Sequence, residues 1–418
     1  MSRLSFGGAC AVCLLAGLST MSCSNAGSVG GAGGTAGTGG ATTGTGGKPA
    51  TGTGGVGDGG AGGGDATGGT GGSAIDAGGT GGVLPDGALA DSAPGAGGET
   101  GSSVDPGSEG DGVREIGPTY KDAPEISASG APKGKTISFV MKMGSSKIYP
   151  KAIDRNVVVY VPTQYVAGTL APVIVAQDGT DFFNFPSYVS NTLDNLIAAK
   201  KLPPIVGVFA GNGGGDAQGS ERGLEYDTLS GVYAEWVDQE LLPRVEMETK
   251  TQAKTQAVTF THDPEGRGAL GGSSGGIASF SMMWWHPDLF RRAVIYSGSF
   301  VAQEYPINPD HPFGGWNYHE DMTNDAGGIV AKTDPIKPIR AWLECGSNDN
   351  GAGTLGLGQY PHYDFQMAGQ RMQVKLAGKG YHVHLDHGAG AGHVDDRVVR
   401  QTLPEAIQWA WRGYVPAK

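Results

Sequence analysis

The run Gly268-Ala269-Leu270-Gly271-Gly272-Ser273-Ser274-Gly275-Gly276-Ile277 frames two serines with glycines. Gly-x-Ser-x-Gly is the pattern of a strand that turns sharply into a helix with a serine at the apex. Glycines flank such a turn because a Cβ there would clash with the neighbouring strand or helix. The serine hydroxyl is then exposed, and the next backbone N–H, at a helix N-terminus, can stabilise an oxyanion. Two registers fit, one centred on Ser273 and one on Ser274. Ser273 is preferred, because it leaves Gly275 and Gly276 where the helix must pack closely on the sheet. The competing reading is an ordinary glycine-rich turn in a chain with 76 glycines.

A serine hydroxyl is a weak nucleophile and needs a base, which an acid must orient. One arrangement of such groups runs serine, acid, histidine along the chain. Downstream of Ser273, Asp349 follows one apolar run in Gly346-Ser347-Asn348-Asp349, and His393 follows the next in Gly392-His393. Asp349 also reads as a turn-forming aspartate, and His393 is one histidine of nine. His319, His382, His384 and His387 compete as bases, although His382 and His384 fall within a strand that would fix their direction; Asp386 is the second choice of acid. His382, His384, His387, Asp386, Asp395 and Asp396 would need a further ligand motif to form a metal site, and the sequence has none. No metal and no cofactor are expected. Arg222, Asp178 and Trp316 are the candidates to touch a substrate. Arg222, Glu225 and Asp227 read equally as loop braces. The irregular stretch 300–335, with Tyr305, Trp316, Tyr318 and His319, reads as a substrate-binding cap or as a solvated excursion.

These residues need a frame. Strands are expected at Thr136–Met143, Arg155–Pro162, Ala171–Gln177, Ile205–Ala210, Ala257–His262, Gly268–Leu270, Arg292–Ser297, Ile339–Cys345 and Tyr381–Leu385. Helices are expected at Asn191–Lys201, Tyr233–Pro243, Ile277–His286, Phe365–Ala377 and Leu403–Tyr414. The alternation predicts an α/β class, a mostly parallel central sheet with helices on both faces. In such sheets reactive groups gather at the carboxyl ends of the strands. Ser273, Asp349, His393 and the Asp178 loop all follow strands.

Composition divides the chain. Residues 1–23 read as a signal peptide ending in a lipobox: Arg3 supplies charge, Ala9–Leu18 is too short to span a bilayer, and Thr20-Met21-Ser22-Cys23 marks Cys23 for lipidation. A simple secreted protein is the alternative. Residues 24–112, almost all Gly, Ala, Thr, Ser and Asp, cannot offset their ordering entropy and predict a disordered Gly-rich tether. Residues 113–418 form the expected catalytic domain. Its single cysteine, Cys345, lies in an apolar run and reads as a small buried hydrophobe. A net charge of −12 with no basic run argues against nucleic acid as a partner. Contact with a membrane is expected only through a lipid on Cys23, and the location is the cell envelope or the exterior.

The segment from Asp263 to Ile277 resembles the nucleophile region of enterochelin-esterase-like proteins, in the esterase D group of α/β-hydrolases. The resemblance continues through Ser146–Pro150, Gln177-Asp178-Gly179, Leu224–Ser230, Gly346–Asp349, Gly392-His393 and Leu403–Arg412. It covers most of 118–415 and none of the tether. It implies the α/β-hydrolase fold and hydrolysis of a carboxylic ester by Ser273, His393 and Asp349. It also implies an oxyanion hole from the N–H groups of Ser274 and, in the loop after Gln177, Thr180. Relatives often carry a second histidine shortly after the first, where Arg397 stands here. The substrate expected is a small-molecule or cell-surface ester. The same groups would serve an acyltransferase, and a non-catalytic surface binding module is the reading from another class.

Overall fold

Val173–Ala176 and Val206–Ala210 are apolar or glycine at every position, so they are stable only where both faces are covered. That requirement sets the architecture. The computed structural model describes residues 102–103, 107–127, 129–180, 184–252, 256–320, 327–353 and 362–416. The expected signal peptide with Cys23, and the expected tether up to residue 101, lie outside the described residues.

Nine strands form the main sheet: β1 (Gly112–Ile116), β2 (Lys135–Met141), β3 (Arg155–Val161), β4 (Val173–Ala176), β5 (Val206–Ala210), β6 (Arg267–Gly272), β7 (Arg292–Tyr296), β8 (Arg340–Gly346) and β9 (His382–Gly388). Their spatial order is β1-β9-β8-β7-β6-β4-β5-β3-β2. Every neighbouring pair is parallel except the two made by β3. The helices are α1 (Phe185–Ala198), α2 (Glu221–Tyr226), α3 (Val232–Trp236), α4 (Leu242–Gln252), α5 (Ser274–Trp285), α6 (Gly328–Lys332), α7 (Phe365–Lys379) and α8 (Asp396–Ala410). Alternate residues of the strands feed two apolar layers. Val173, Val175, Ala293 and Ile295 pack with Trp236, Phe280 and Met372 of α3, α5 and α7. Ile174, Ala176, Val294 and Tyr296 pack with Leu193 of α1 and Leu403 and Ile407 of α8. This is the expected doubly covered, mostly parallel sheet.

Several boundaries differ from the sequence reading. The expected strand Ala257–His262 shrinks to Thr259–Phe260 and pairs with Leu170–Ala171 outside the main sheet. The helix expected from Asn191 begins at Phe185, with Pro186 in the first turn, where proline's missing N–H has no helical partner to lose. The helix expected from Leu403 begins at Asp396 and runs through Pro404. Proline cannot bond the carbonyl four residues back; that carbonyl, of Arg400, accepts the N–H of Ala123 at 3.0 Å instead. Helix α3 passes through a π turn at Val237–Leu241 into α4, just before Pro243. The fold also reaches upstream of Val113. Strand β1 joins β9 in parallel, Arg114 reaches Asp386 at 2.7 Å, and Ser102–Ser103 pair with Tyr414–Val415.

The turn between β6 and α5 is as tight as its glycines imply. A Cβ on Gly271 would lie 2.1 Å from the carbonyl oxygen of Gly275, and one on Gly276 would lie 3.0 Å from the Cα of Gly298. Backbone oxygen cannot retreat as a flexible side chain would. Gly271→Ala is therefore expected to lower the unfolding free energy by about 1–3 kcal/mol or more, measured by urea denaturation. An unchanged midpoint would mean that the turn relaxes freely.

Candidate active site

Three loops at the carboxyl edge of the sheet bring Ser273, Asp349 and His393 together from β6, β8 and β9. Ser273 stands between β6 and α5 with φ 58° and ψ −128°. Its N–H donates to the Tyr296 carbonyl at 3.0 Å, and its carbonyl accepts the N–H of Ser299 at 3.1 Å. Its Oγ lies 2.8 Å from His393 Nε2. His393 Nδ1 lies 2.6 Å from Asp349 Oδ1. The Asp349 carboxylate is fully buried and also accepts the Asn350 N–H at 2.7 Å. The ring of Phe365 meets His393 edge-on, with centroids 4.8 Å apart. The histidine loop is pinned beside this row, because Val394 N–H donates to Ser297 Oγ at 2.9 Å and Gly392 N–H to Asp395 at 3.1 Å.

Ser274 behaves differently from its neighbour. Its side chain is buried, with Oγ donating to Asp227 Oδ2 at 3.0 Å and accepting from Gln303 Nε2 at 3.1 Å. Gln303 Nε2 also donates to Asp227 Oδ1 at 2.8 Å. Ser274 is the first residue of α5, where backbone N–H groups lack an intrahelical acceptor. The loop after β4 packs on that first turn: a Cβ on Gly275 would lie 3.0 Å from Gln177 Cβ. Thr180, half-buried, belongs to this loop, and residues 181–183 after it lie outside the described residues.

A cavity of about 320 Å³ opens over the row. Ser273, Ser274, Gln303, Arg222, Asn350 and His393 supply polar groups to its wall. Two expected substrate contacts are corrected here. Asp178 is fully buried and faces protein: Arg222 Nη2 bonds it at 2.7 Å and Asn212 Nδ2 at 2.9 Å. Trp316 is also fully buried, with its Nε1 donating to Glu320 and its ring against His319, so it presents nothing to the cavity. Segment 300–335 instead sends Gln303 into the site and packs Trp316, Tyr318 and His319 inside. Glu225, buried against Arg155, braces the Gly213 N–H at 2.8 Å.

The competing bases and acid have other partners. His319 is fully buried against the Phe300 carbonyl, and burial pushes its pKa down to about 3. His382 meets Asp111, His387 meets Glu115, and His384 stacks on Trp342 while bonding the Gly110 carbonyl and Asp386. Asp386 is bound by Arg114 on both oxygens. Cys345 is buried, and burial pushes its thiol well above the usual range. Gln303 and Ser297 escaped the sequence reading. Neither lies in a motif, and only the meeting of distant loops gives them a role.

Residues 152–406, more than half of the chain, match the model of the family described as "Putative esterase". The chain belongs to this family. No match is found among curated proteins. Among solved structures, the chain is similar to enterochelin esterase from Shigella flexneri, at 18% identity and TM-score 0.45, over 68% of this chain and 59% of that one. It thus spans about three fifths of that protein's length. It is also similar to a ferulic acid esterase from Anaeromyces mucronatus, at 14% identity and TM-score 0.46, over 70% of this chain and 97% of that one. A feruloyl esterase module from Clostridium thermocellum shares 15% identity at TM-score 0.45, over 76% of this chain and 97% of that one.

Electrostatics beside the serine have a measurable consequence. Burial raises the Asp227 carboxyl to about 7, although the bonds from Gln303 and Ser274 and the charge of Arg222 pull it down. Burial likewise raises Glu304 to about 7, with Asp227 adding to the shift. A carboxyl with a raised folded pKa holds a proton that the unfolded chain releases. Its contribution to stability therefore falls as pH rises from about 4 to about 7, by up to about 1.4 kcal/mol per unit. Asp227→Asn is expected to flatten part of that slope in urea unfolding at stepped pH. An unaltered slope would rule out the raised carboxyl.

Proposed function

We propose that this protein is a serine esterase that cleaves a carboxylic ester through an acyl-enzyme. The observation that carries the reading is the unbroken row Asp349–His393–Ser273, with contacts of 2.6 and 2.8 Å. His393 Nε2 takes the Ser273 proton as Oγ attacks the ester carbonyl, and Asp349 holds the ring and stabilises its charged form. The tetrahedral oxyanion is received by the N–H of Ser274, at the start of α5, and by that of Thr180. One such donor typically lowers the barrier by about 3–4 kcal/mol. His393 then returns the proton to the leaving alcohol, and water releases the acid by the same steps. A cavity of about 320 Å³ is at the small end for ligand sites, and the polar residues among its lining suit a compact ester with hydrogen-bonding groups.

A panel of p-nitrophenyl and aryl esters tests the reading. Ser273→Ala is expected to lose activity by about 10⁴-fold or more and to abolish labelling by a fluorophosphonate. Ser274→Ala is expected to keep much of the rate, because only its backbone N–H receives the oxyanion. Label retained by Ser273→Ala and absent from Ser274→Ala would reverse the assignment, and a wild type that neither hydrolyses nor labels would end it.

We further propose that lipid on Cys23 holds the protein at the cell envelope. The support is sequence alone: a short apolar run, a small residue before Cys23 and a spacer-like composition after it. In a bacterial host, wild type is expected in the membrane fraction and Cys23→Ser in the soluble fraction. Wild type found wholly soluble sinks the idea.

A further inference from the structure

The wall of the cavity over Ser273 holds an acceptor that the ester reaction leaves unused. Gln303, in the stretch after β7, lines that cavity and is 5% exposed. Its Nε2 donates to Asp227 Oδ1 at 2.8 Å and to Ser274 Oγ at 3.1 Å. An amide nitrogen has two hydrogens, so both are spent. Ser274 Oγ gives its one hydrogen to Asp227 Oδ2 at 3.0 Å, and toward Gln303 it can only accept. This ring of three bonds fixes which end of the amide is which. Turned over, the amide would set its oxygen against a carboxylate oxygen.

The carbonyl end, Oε1, is therefore the end left over. Among the described residues nothing donates to it, and it is not one of the buried polar atoms without a partner, so solvent reaches it. The guanidinium on the same wall is engaged elsewhere: Arg222 gives Nε and Nη2 to Asp178 and Nη1 to the Asp216 carbonyl. Oε1 is thus a fixed acceptor in the wall, on the side chain that bonds the residue next to the nucleophile. Its partners are water and whatever enters the cavity. Held by a carboxylate, it cannot swing away when a ligand covers it. An apolar group there would strip its water and return no bond. A site built this way favours a ligand that brings a donor and rejects the isostere that lacks one.

We propose that Gln303 sets substrate specificity: its Oε1 accepts a hydrogen bond from a hydroxyl or amide N–H of the substrate, so the preferred esters carry such a donor near the scissile bond. This inference rests on the esterase reading above and narrows its substrate class.

Ester pairs that differ by one donor test it, with kcat/KM read by pH-stat. Ethyl lactate against ethyl isobutyrate places a hydroxyl on the acid side. 2-Hydroxyethyl butyrate against propyl butyrate places it on the alcohol side. Ethyl N-acetylglycinate against ethyl levulinate exchanges an amide N–H for a methylene. The assays run at about pH 8.5, above the Asp227 carboxyl, which burial raises to about 7, so that the carboxylate accepts from the amide. Each ratio is divided by that of alkaline hydrolysis, which removes intrinsic reactivity. In wild type at least one pair is expected to favour its donor member by about tenfold or more, and the responding pair assigns the donor's type and side. Gln303→Met is expected to return that ratio to the alkaline value while Ser273 still takes a fluorophosphonate. Gln303→Asn, whose amide can still serve Asp227 but is one methylene shorter, is expected to lower the ratio about threefold or more and carries the test should Gln303→Met not fold. Wild type that labels at Ser273 yet shows no preference in any pair, or a preference unchanged in the variants, overturns this inference alone. Wild type that neither hydrolyses nor labels overturns the esterase reading and this inference with it.

Discussion

The backbone of Ser273 is the constraint on which the rest of the site depends. At φ 58° and ψ −128° a residue with a Cβ is strained, by an amount on the order of 1–3 kcal/mol. Such a conformation survives only where neighbours leave it no alternative. Here the ladder bond to Tyr296 fixes the entry, and three N–H groups, from Gly276, Ile277 and Ser299, hold its carbonyl. Strand β7 and the loop after it supply two of these four bonds, from Tyr296 and Ser299, so a strand that carries none of the reacting groups governs where the hydroxyl points. Ser297 and Val394 also have positive φ, at 46° and 45°, and are tied to each other. Strain is thus concentrated where the loops after β6, β7 and β9 converge.

Buried ion pairs stiffen the opposite wall. Arg222 grips Asp178 with two nitrogens and joins the loop after β4 to α2. Arg155, on β3, grips Glu225 and holds the loop after β5. Such pairs gain little over apolar packing, but removing one partner typically destabilises by about 3–5 kcal/mol. Their value here lies in direction. A charged fork admits few geometries, and these two forks set the loops that face the serine. Arg222 therefore has one side on the cavity and its charge spent behind it.

Much of the core was legible from residue order. Buried parallel strands read as unbroken apolar runs, and β4 and β5 are visible for that reason, while β7 and β8 show apolar centres behind a leading arginine. Ser273, Asp349 and His393 were legible because each follows a strand and sits among small residues. The losses have common causes. Strand β1, GVREI, is short and charged at its centre; it becomes a strand only through β9 and the pull of Asp386 on Arg114. The first turns of α8 were hidden by Pro404, whose disruption is absorbed by Ala123, a residue far away in sequence. Asp178 and Trp316 read as substrate contacts because polar loops and irregular aromatic segments often face a site; both turn inward because distant groups receive them, Arg222 on the Asp178 carboxylate and Arg371 over the Trp316 ring. Local pattern carries local structure, and it carries no record of such distant partners.

The two outer strands of the sheet bear on how the molecule meets copies of itself. An open sheet edge is a template for another chain, and long, flat, apolar edges invite stacking. Strand β2 alternates buried and exposed positions and begins with Lys135, and Lys142 follows its last residue. At the other edge β1 is five residues long, and its charges are already engaged: Arg114 with Asp386 and Glu405, Glu115 with His387. A second chain pairing there would have to pull those ion pairs apart or strand them. The interactions that draw β1 onto the sheet thus also close the sheet, making that edge a terminus of growth instead of a seam for aggregation.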